Sequence, residues 1–282
     1  MNTREEIIAF SPKKEYFVGI DSDGTAFDSM NIKHFKSMCP AALEIWNVAE
    51  HKKEFEKIWY HYNLYSADRG KNRFFGLLHA LDALGESFSM VVDNTSPLRD
   101  FIKNGGGLSN DALKSWLTKH PSPMLDRVLQ WSLRSDQLFE EYTRGLLPFA
   151  NIEDALKCMV EKADVMVVSS ASGAGLDKDW SFSGLTKYTS LIAGQETGTK
   201  KEQLEMAANG KYPPEKILMI GDAIGDLEAA QSIDALFFPI MPGSEEDSWL
   251  FLKEEALNCF FNNNYKGDYE NKLVLKFKDF LS

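Results

Sequence analysis

From residue 148 onward, short apolar runs of strand length alternate with segments of helical period, and this alternation constrains the fold more than any other feature. Residues 152–162 read as a helix and Val165-Met166-Val167-Val168 as a strand. Ser190-Leu191-Ile192-Ala193 is a second strand, followed by a helix over about 200–209. Ile217-Leu218-Met219-Ile220 is a third, residues 227–232 a helix, and Ala235-Leu236-Phe237-Phe238 a fourth. Strands separated by helices require right-handed crossovers and a parallel sheet. Near the start, Tyr16-Phe17-Val18-Gly19-Ile20 is an unbroken apolar run that stops at Asp21, as a strand buried on both faces does. The expected fold class is α/β, a doubly wound parallel sheet that this first strand joins.

The stretch between has a different texture. Phe55, Ile58, Trp59 and Tyr62 recur at i, i+3, i+4 and i+7, as do Phe74, Leu77, Leu78 and Leu81. Helices are also expected over 110–118, with Ser109 as cap, and over 123–144. The chain therefore divides into a core of residues 1–29 and 147–282 and an all-helical insert over 30–146. The tail from about 245 is expected to be helical and to pack on the core. Pro242-Gly243-Ser244-Glu245-Glu246-Asp247-Ser248-Trp249 suggests no chemistry and reads as a loop covering the core.

The formal net charge is −11, which argues against a nucleic-acid partner. It leaves room for an anionic substrate, because a divalent cation and a few basic side chains can reverse the field in one cleft. Cys39, Cys158 and Cys259 are odd in number and form no CxxC pair, which fits a reducing compartment. No secretory signal and no run of about 20 apolar residues is visible, so a cytoplasmic protein without a membrane partner is expected.

Four pieces of chemistry fall at or near strand ends, where parallel sheets bind ligands. Asp21-Ser22-Asp23-Gly24-Thr25 follows the first strand. A carboxylate can attack phosphorus and split a hydrolysis into two steps, and a second acid two residues on can serve as proton donor. Asp and Gly are also common turn formers, so this motif alone decides nothing. Gly221-Asp222-Ala223-Ile224-Gly225-Asp226 gathers acids at another strand end, where a hard cation would relieve their repulsion. Ser169 ends the strand over 165–168 and can donate to a phosphate oxygen. Lys200 or Lys201 opens a helix and can offset charge on a nucleophile and a transferring phosphoryl group.

In this order the residues resemble the four motifs of the haloacid dehalogenase superfamily: Asp21 with Asp23, Ser169, a lysine, and Asp222 with Asp226. The lysine is assigned as Lys200 because Leu204 then falls four residues later, a common spacing in that family. The resemblance implies a Rossmann-like core, with the helical insert as a C1-type cap of the phosphoglycolate phosphatase and β-phosphoglucomutase-like group. It also implies that Asp21 is the nucleophile and Asp23 the general acid and base. Mg2+ would be held by the Asp21 carboxylate, the Asp23 main-chain carbonyl, Asp222 and Asp226. True dehalogenases lack the second Asp, so Asp23 argues against that branch.

The implied activity is a magnesium-dependent phosphatase acting on a small phosphorylated metabolite, as a monomer or homodimer. A phosphomutase shares every core motif. A phosphonate hydrolase would need a cap lysine such as Lys33 or Lys36. A receiver-type phosphorylation switch has similar residues but no use for the insert. All five histidines fall in the insert, which disfavours a Ser-His-Asp hydrolase. Lys33 and His34, just after the first motif, are candidates to meet substrate. So are Arg69, Lys71 and Arg73 in a basic loop before an amphipathic helix, although a solvated loop explains that composition equally well.

Overall fold

The structure, a computed structural model, describes residues 1–88 and 94–282. Among these residues five strands form one parallel sheet: β1 (Tyr16–Ile20), β2 (Ala163–Val168), β3 (Leu191–Ala193), β4 (Ile217–Gly221) and β5 (Leu236–Pro239). The order is β3-β2-β1-β4-β5. Every strand residue is buried, which is why the sequence shows continuous apolar runs rather than alternation.

Val18 lies opposite Val165 on one side and Leu218 on the other, so β1 is central. The chain winds outward from β1 through β2 to β3, then returns past β1 to β4 and β5. Strand order thus reverses between β1 and β4, and ligands of such sheets sit beyond the carboxyl ends at that point. The fold is α/β and doubly wound, as expected.

The chain divides into two compact units, residues 1–29 with 145–281, and residues 30–144. The first holds the sheet. Its helices include Ile152–Lys162, Gly173–Phe182, Lys200–Ala207 and Ile224–Gln231, which follow the strands in turn. Sequence periodicity missed Gly173–Phe182 and the short Arg4–Ala9. The second carries a signal that could have found it: Thr3 and Glu6 form a capping box.

The tail is helical, with Glu245–Phe251 and Asp268–Phe280 as its clearest α-helices. The expected loop over 242–249 is therefore helical from Glu245, and its Trp249 is fully buried. The last helix covers the outer edge of β5. Tyr265 Oη donates to the Phe237 carbonyl at 2.8 Å, and Glu270 accepts from the Phe237 amide at 2.8 Å. Backbone groups that an edge strand would leave open are thereby paired within the chain.

Among its described residues the second unit holds helices and their connecting loops but no strand. Its core gathers Phe55, Trp59, Phe74, Leu77, Leu81, Phe101 and Trp131, the apolar stripes that the periodicity picked out. The helix that opens it contains a π-helical segment, Ile32–Met38, before continuing through Cys39–Ile45. Helix Asn110–Lys119 is capped by Ser109 and Pro123–Tyr142 by Ser122. Among the described residues no helix is long and apolar enough to cross a membrane.

Candidate active site

Asp21 is the first residue beyond β1, and its amide donates to the Ile220 carbonyl of β4 at 3.0 Å. That bond extends the β1–β4 ladder by one rung and places the carboxylate at the switch point. Gly24 has φ of +76°, a conformation glycine adopts without strain. The loop then closes on itself: the Gly24 amide donates to the Phe27 carbonyl at 2.9 Å, and the Ala26 amide to the Ser22 carbonyl at 2.9 Å.

The second acidic motif is built by a close approach. A side chain at Gly221 would lie 2.4 Å from the Asp226 side chain, so only glycine lets Asp226 fold back over the end of β4. There Asp226 Oδ2 accepts from the amides of Asp222 and Ala223 at 3.2 and 3.1 Å. Asp222 Oδ1 accepts from Thr25 Oγ1 at 2.6 Å, linking the two motifs directly.

Lys200, the first residue of helix Lys200–Ala207, reaches both acids. Its Nζ lies 2.9 Å from Asp21 Oδ1 and 2.5 Å from Asp226 Oδ1. Lys201, itself exposed, instead pairs with Glu205 at 3.8 Å. Of the two lysines open at the sequence level, Lys200 is therefore the one in the site. Thr199 caps its helix through a capping box with Glu202, which fixes where the helix begins.

The charges are unequal. Asp21, Asp222 and Asp226 are buried, and one oxygen from each lies within 4.8 Å of the others. Burial pushes the Asp21 carboxyl well above its ordinary range; Lys200 opposes the shift, while Asp226, Asp222 and Asp23 add to it. Burial also raises Asp226, again against Lys200 and with Asp222. Lys200 itself is held charged: burial disfavours its ammonium, but Asp21 and Asp226 outweigh that. One lysine thus pairs with two of the three carboxylates. A hard, all-oxygen donor set with an excess of negative charge suits a divalent cation such as Mg2+.

The other predicted core residues are nearby in the chain's topology but engaged differently. Asp23 is half-buried and its carboxylate accepts from Ser29 Oγ. Ser169 is buried at the end of β2, where its Oγ accepts from the Ala171 amide at 3.1 Å. Sequence reading missed Gln203, one turn after Lys200. Its Nε2 lies 3.0 Å from each of the carbonyls of Ser169, Gly194 and Gly198, joining the Ser169 loop to the helix that carries Lys200. A glutamine on a helix gives no local sign of such a role.

The remaining candidates belong to the helical unit. His34 is buried on the π-helical segment, and its Nδ1 accepts from Trp59 Nε1 at 3.2 Å. Burial, with Arg69, Lys33 and Arg73 nearby, pushes its imidazole down to about 3. A neutral ring whose Nδ1 accepts carries its proton on Nε2. Lys33 lies over the Phe139 ring, 5.5 Å from its centroid. The basic loop is less solvated than its composition suggests. Arg69 is buried and donates to the Leu64 carbonyl at 3.2 Å. Lys71 pairs with Asp68 at 2.6 Å and Arg73 with Asp136 at 2.5 Å.

Solved structures with related folds are haloacid dehalogenase-like and other hydrolases. The chain is similar in structure to such proteins. One is a predicted phosphoglycolate phosphatase from Haemophilus somnus, 15% identical, matched over 82% of this chain and 88% of that one with a TM-score of 0.47. Another is a hydrolase from Pseudomonas syringae, 15% identical over 83% and 90%, with a TM-score of 0.47. A third is a haloacid dehalogenase-like family hydrolase from Xanthomonas campestris, 14% identical over 95% and 97%, with a TM-score of 0.46. No family model matches the chain, and no curated protein does.

Proposed function

We propose that this chain is a magnesium-dependent phosphatase of the haloacid dehalogenase superfamily that hydrolyses a small phosphorylated metabolite through an aspartyl-phosphate on Asp21. The observation that carries the reading is the convergence of Asp21, Asp222, Asp226 and Lys200 at the carboxyl ends of β1 and β4. A buried carboxylate beside a lysine, with two more carboxylates to share a cation, is suited to receive a phosphoryl group.

In the first step an Asp21 oxygen forms a bond to phosphorus while the bond from phosphorus to the leaving oxygen breaks. The leaving oxygen takes the electron pair and a proton from Asp23. Asp23 then accepts a proton from water as the water oxygen attacks phosphorus, and the Asp21–phosphorus bond breaks to regenerate the carboxylate. Such acid–base assistance contributes roughly 10²–10⁴ in rate. Lys200 holds Asp21 by an ion pair and offsets phosphoryl charge, and Ser169 donates to a phosphoryl oxygen. Mg2+ held by Asp21, Asp222 and Asp226, with the Asp23 main-chain carbonyl, would supply charge neutralisation.

The test is phosphate release from p-nitrophenyl phosphate and a panel of sugar phosphates, with and without magnesium, in wild type and Asp21→Asn. Magnesium-dependent release lost in the variant is expected. Equal release by the variant would overturn the assignment of Asp21. No release from any compound, with Asp21 still phosphorylated by acetyl phosphate, would favour a mutase or a phosphorylation switch instead.

A further inference from the structure

The loop that carries Asp21 and Asp23 is held by two buried indoles from elsewhere in the same unit. Trp249 Nε1 donates to the main-chain carbonyl of Thr25 at 2.8 Å. Trp180 Nε1 donates to Ser22 Oγ at 3.0 Å, and its ring packs edge-on against Phe27 with centroids 5.7 Å apart. Both tryptophans, with Thr25, are fully buried, and Ser22 and Phe27 nearly so. Trp180 lies on the helix Gly173–Phe182 that follows β2, and Trp249 on the helix Glu245–Phe251 that follows β5. Those strands lie on opposite sides of β1.

We propose that Trp249 and Trp180 are positioning residues of the active site, a pair of indole donors that fix the residue 21–27 loop so that Asp21, Asp23 and Thr25 present their oxygens in register with Asp222. Packing alone does not account for them. Each buried indole N–H is spent on this one loop. Each bonds next to a functional group: Ser22 separates the two acids, and Thr25 itself donates to Asp222 at 2.6 Å. A shift of the Thr25 main chain therefore moves a contact to one of the proposed cation ligands. The segment 242–249, which suggests no chemistry as sequence, thereby gains a part in the site, and the tail becomes more than a cover for β5.

The effect on turnover rests on the phosphatase reading; the effect on the loop does not, so the two are measured separately. Trp249→Phe and Trp180→Phe keep an aromatic ring and remove the N–H. Trp131→Phe is the control, because Trp131 also donates from a buried indole to a carbonyl, that of Met38, but in the helical unit. Where one variant does not fold, the other and Ser22→Ala, which removes the acceptor for Trp180, carry the test.

Amide exchange at Gly24, Ala26 and Phe27 is expected to accelerate in the Trp249 and Trp180 variants and to match wild type in Trp131→Phe. Turnover of the best substrate should fall in the same two variants, by about tenfold to 10²-fold in kcat with KM within about twofold, as misplacement of a reacting group does. The magnesium concentration for half-maximal binding, followed by calorimetry without substrate, should rise. Unchanged exchange at all three amides in folded variants overturns the proposal. So does unchanged kcat and magnesium binding despite faster exchange. Faster exchange and weaker magnesium binding in a protein that proves to have no phosphatase activity would uphold the positioning role and reject only the activity.

Discussion

The two units bury polar groups in opposite ways. In the sheet unit, three buried carboxylates gather around a site with one lysine, and burial drives the carboxyls of Asp21 and Asp226 upward, with Asp222 adding to both. In the helical unit, many of the buried polar groups are neutral and pair off. Trp59 donates to His34, Trp131 to the Met38 carbonyl, and Ser37 and Ser135 to main-chain carbonyls at 2.6 and 2.7 Å. A satisfied neutral pair contributes about 1 kcal/mol net and holds helices together. Like charges gathered around one counter-ion weaken a fold unless something binds them. We read the first arrangement as the proposed site and the second as packing that stabilises the helices, and perturbing each should give different signatures.

The largest difference is expected from Asp21→Asn. Turnover should fall by roughly 10⁴-fold or more, as for loss of a catalytic nucleophile, while heat unfolding without magnesium should occur at the same or a higher temperature, because one of three repelling carboxylates is gone. A large fall in stability would mean that the cluster is structural. Lys200→Met acts in the reverse sense, leaving Asp21 and Asp226 buried without their cation. Denaturant titration should show a loss of about 3 kcal/mol, and added magnesium should restore part of it.

Smaller effects should mark the helical unit. His34 stays neutral in the folded chain down to about pH 3, whereas an unfolded chain takes up that proton near the ordinary imidazole value of 6.5. Its contribution to stability is therefore complete above 6.5 and is lost as the pH falls from there toward 3. The slope approaches about 1.4 kcal/mol per pH unit between those limits. His34→Gln removes that group, so denaturant titrations of the two proteins at pH 7, 6 and 5 should diverge by this slope, and parallel profiles would count against it. Trp59→Phe removes the donor to His34 and shrinks a buried ring, and should cost about 1–3 kcal/mol with no change in magnesium binding. A change in magnesium binding would undo the distinction between the units.

What the sequence reveals follows from how local each signal is. The sheet was legible because strands buried on both faces must be continuously apolar, and β1 ends at Asp21 for the same reason. Asp222 and Asp226 were legible because the two acids gather directly after the apolar strand over 217–220. Lys200 and Lys201 were not separable from the residues alone, since only the direction of the helix decides which one meets Asp21. Trp180 lies on a helix that the periodicity missed and Trp249 in a segment that reads as a covering loop, and nothing local shows that their N–H groups point at the residue 21–27 loop. Arg73 stood open between a substrate contact and a solvated cation because its partner Asp136 lies 63 residues away. Non-local pairings of this kind are what a one-dimensional pattern leaves out.

The most direct measurement is to quench turnover of a 32P-labelled phosphate ester with acid and map the label on the protein. The account predicts label on the peptide containing Asp21 in the magnesium-loaded wild type, and none in Asp21→Asn. Phosphate release with label on a different residue, or with equal labelling of the variant, would contradict it.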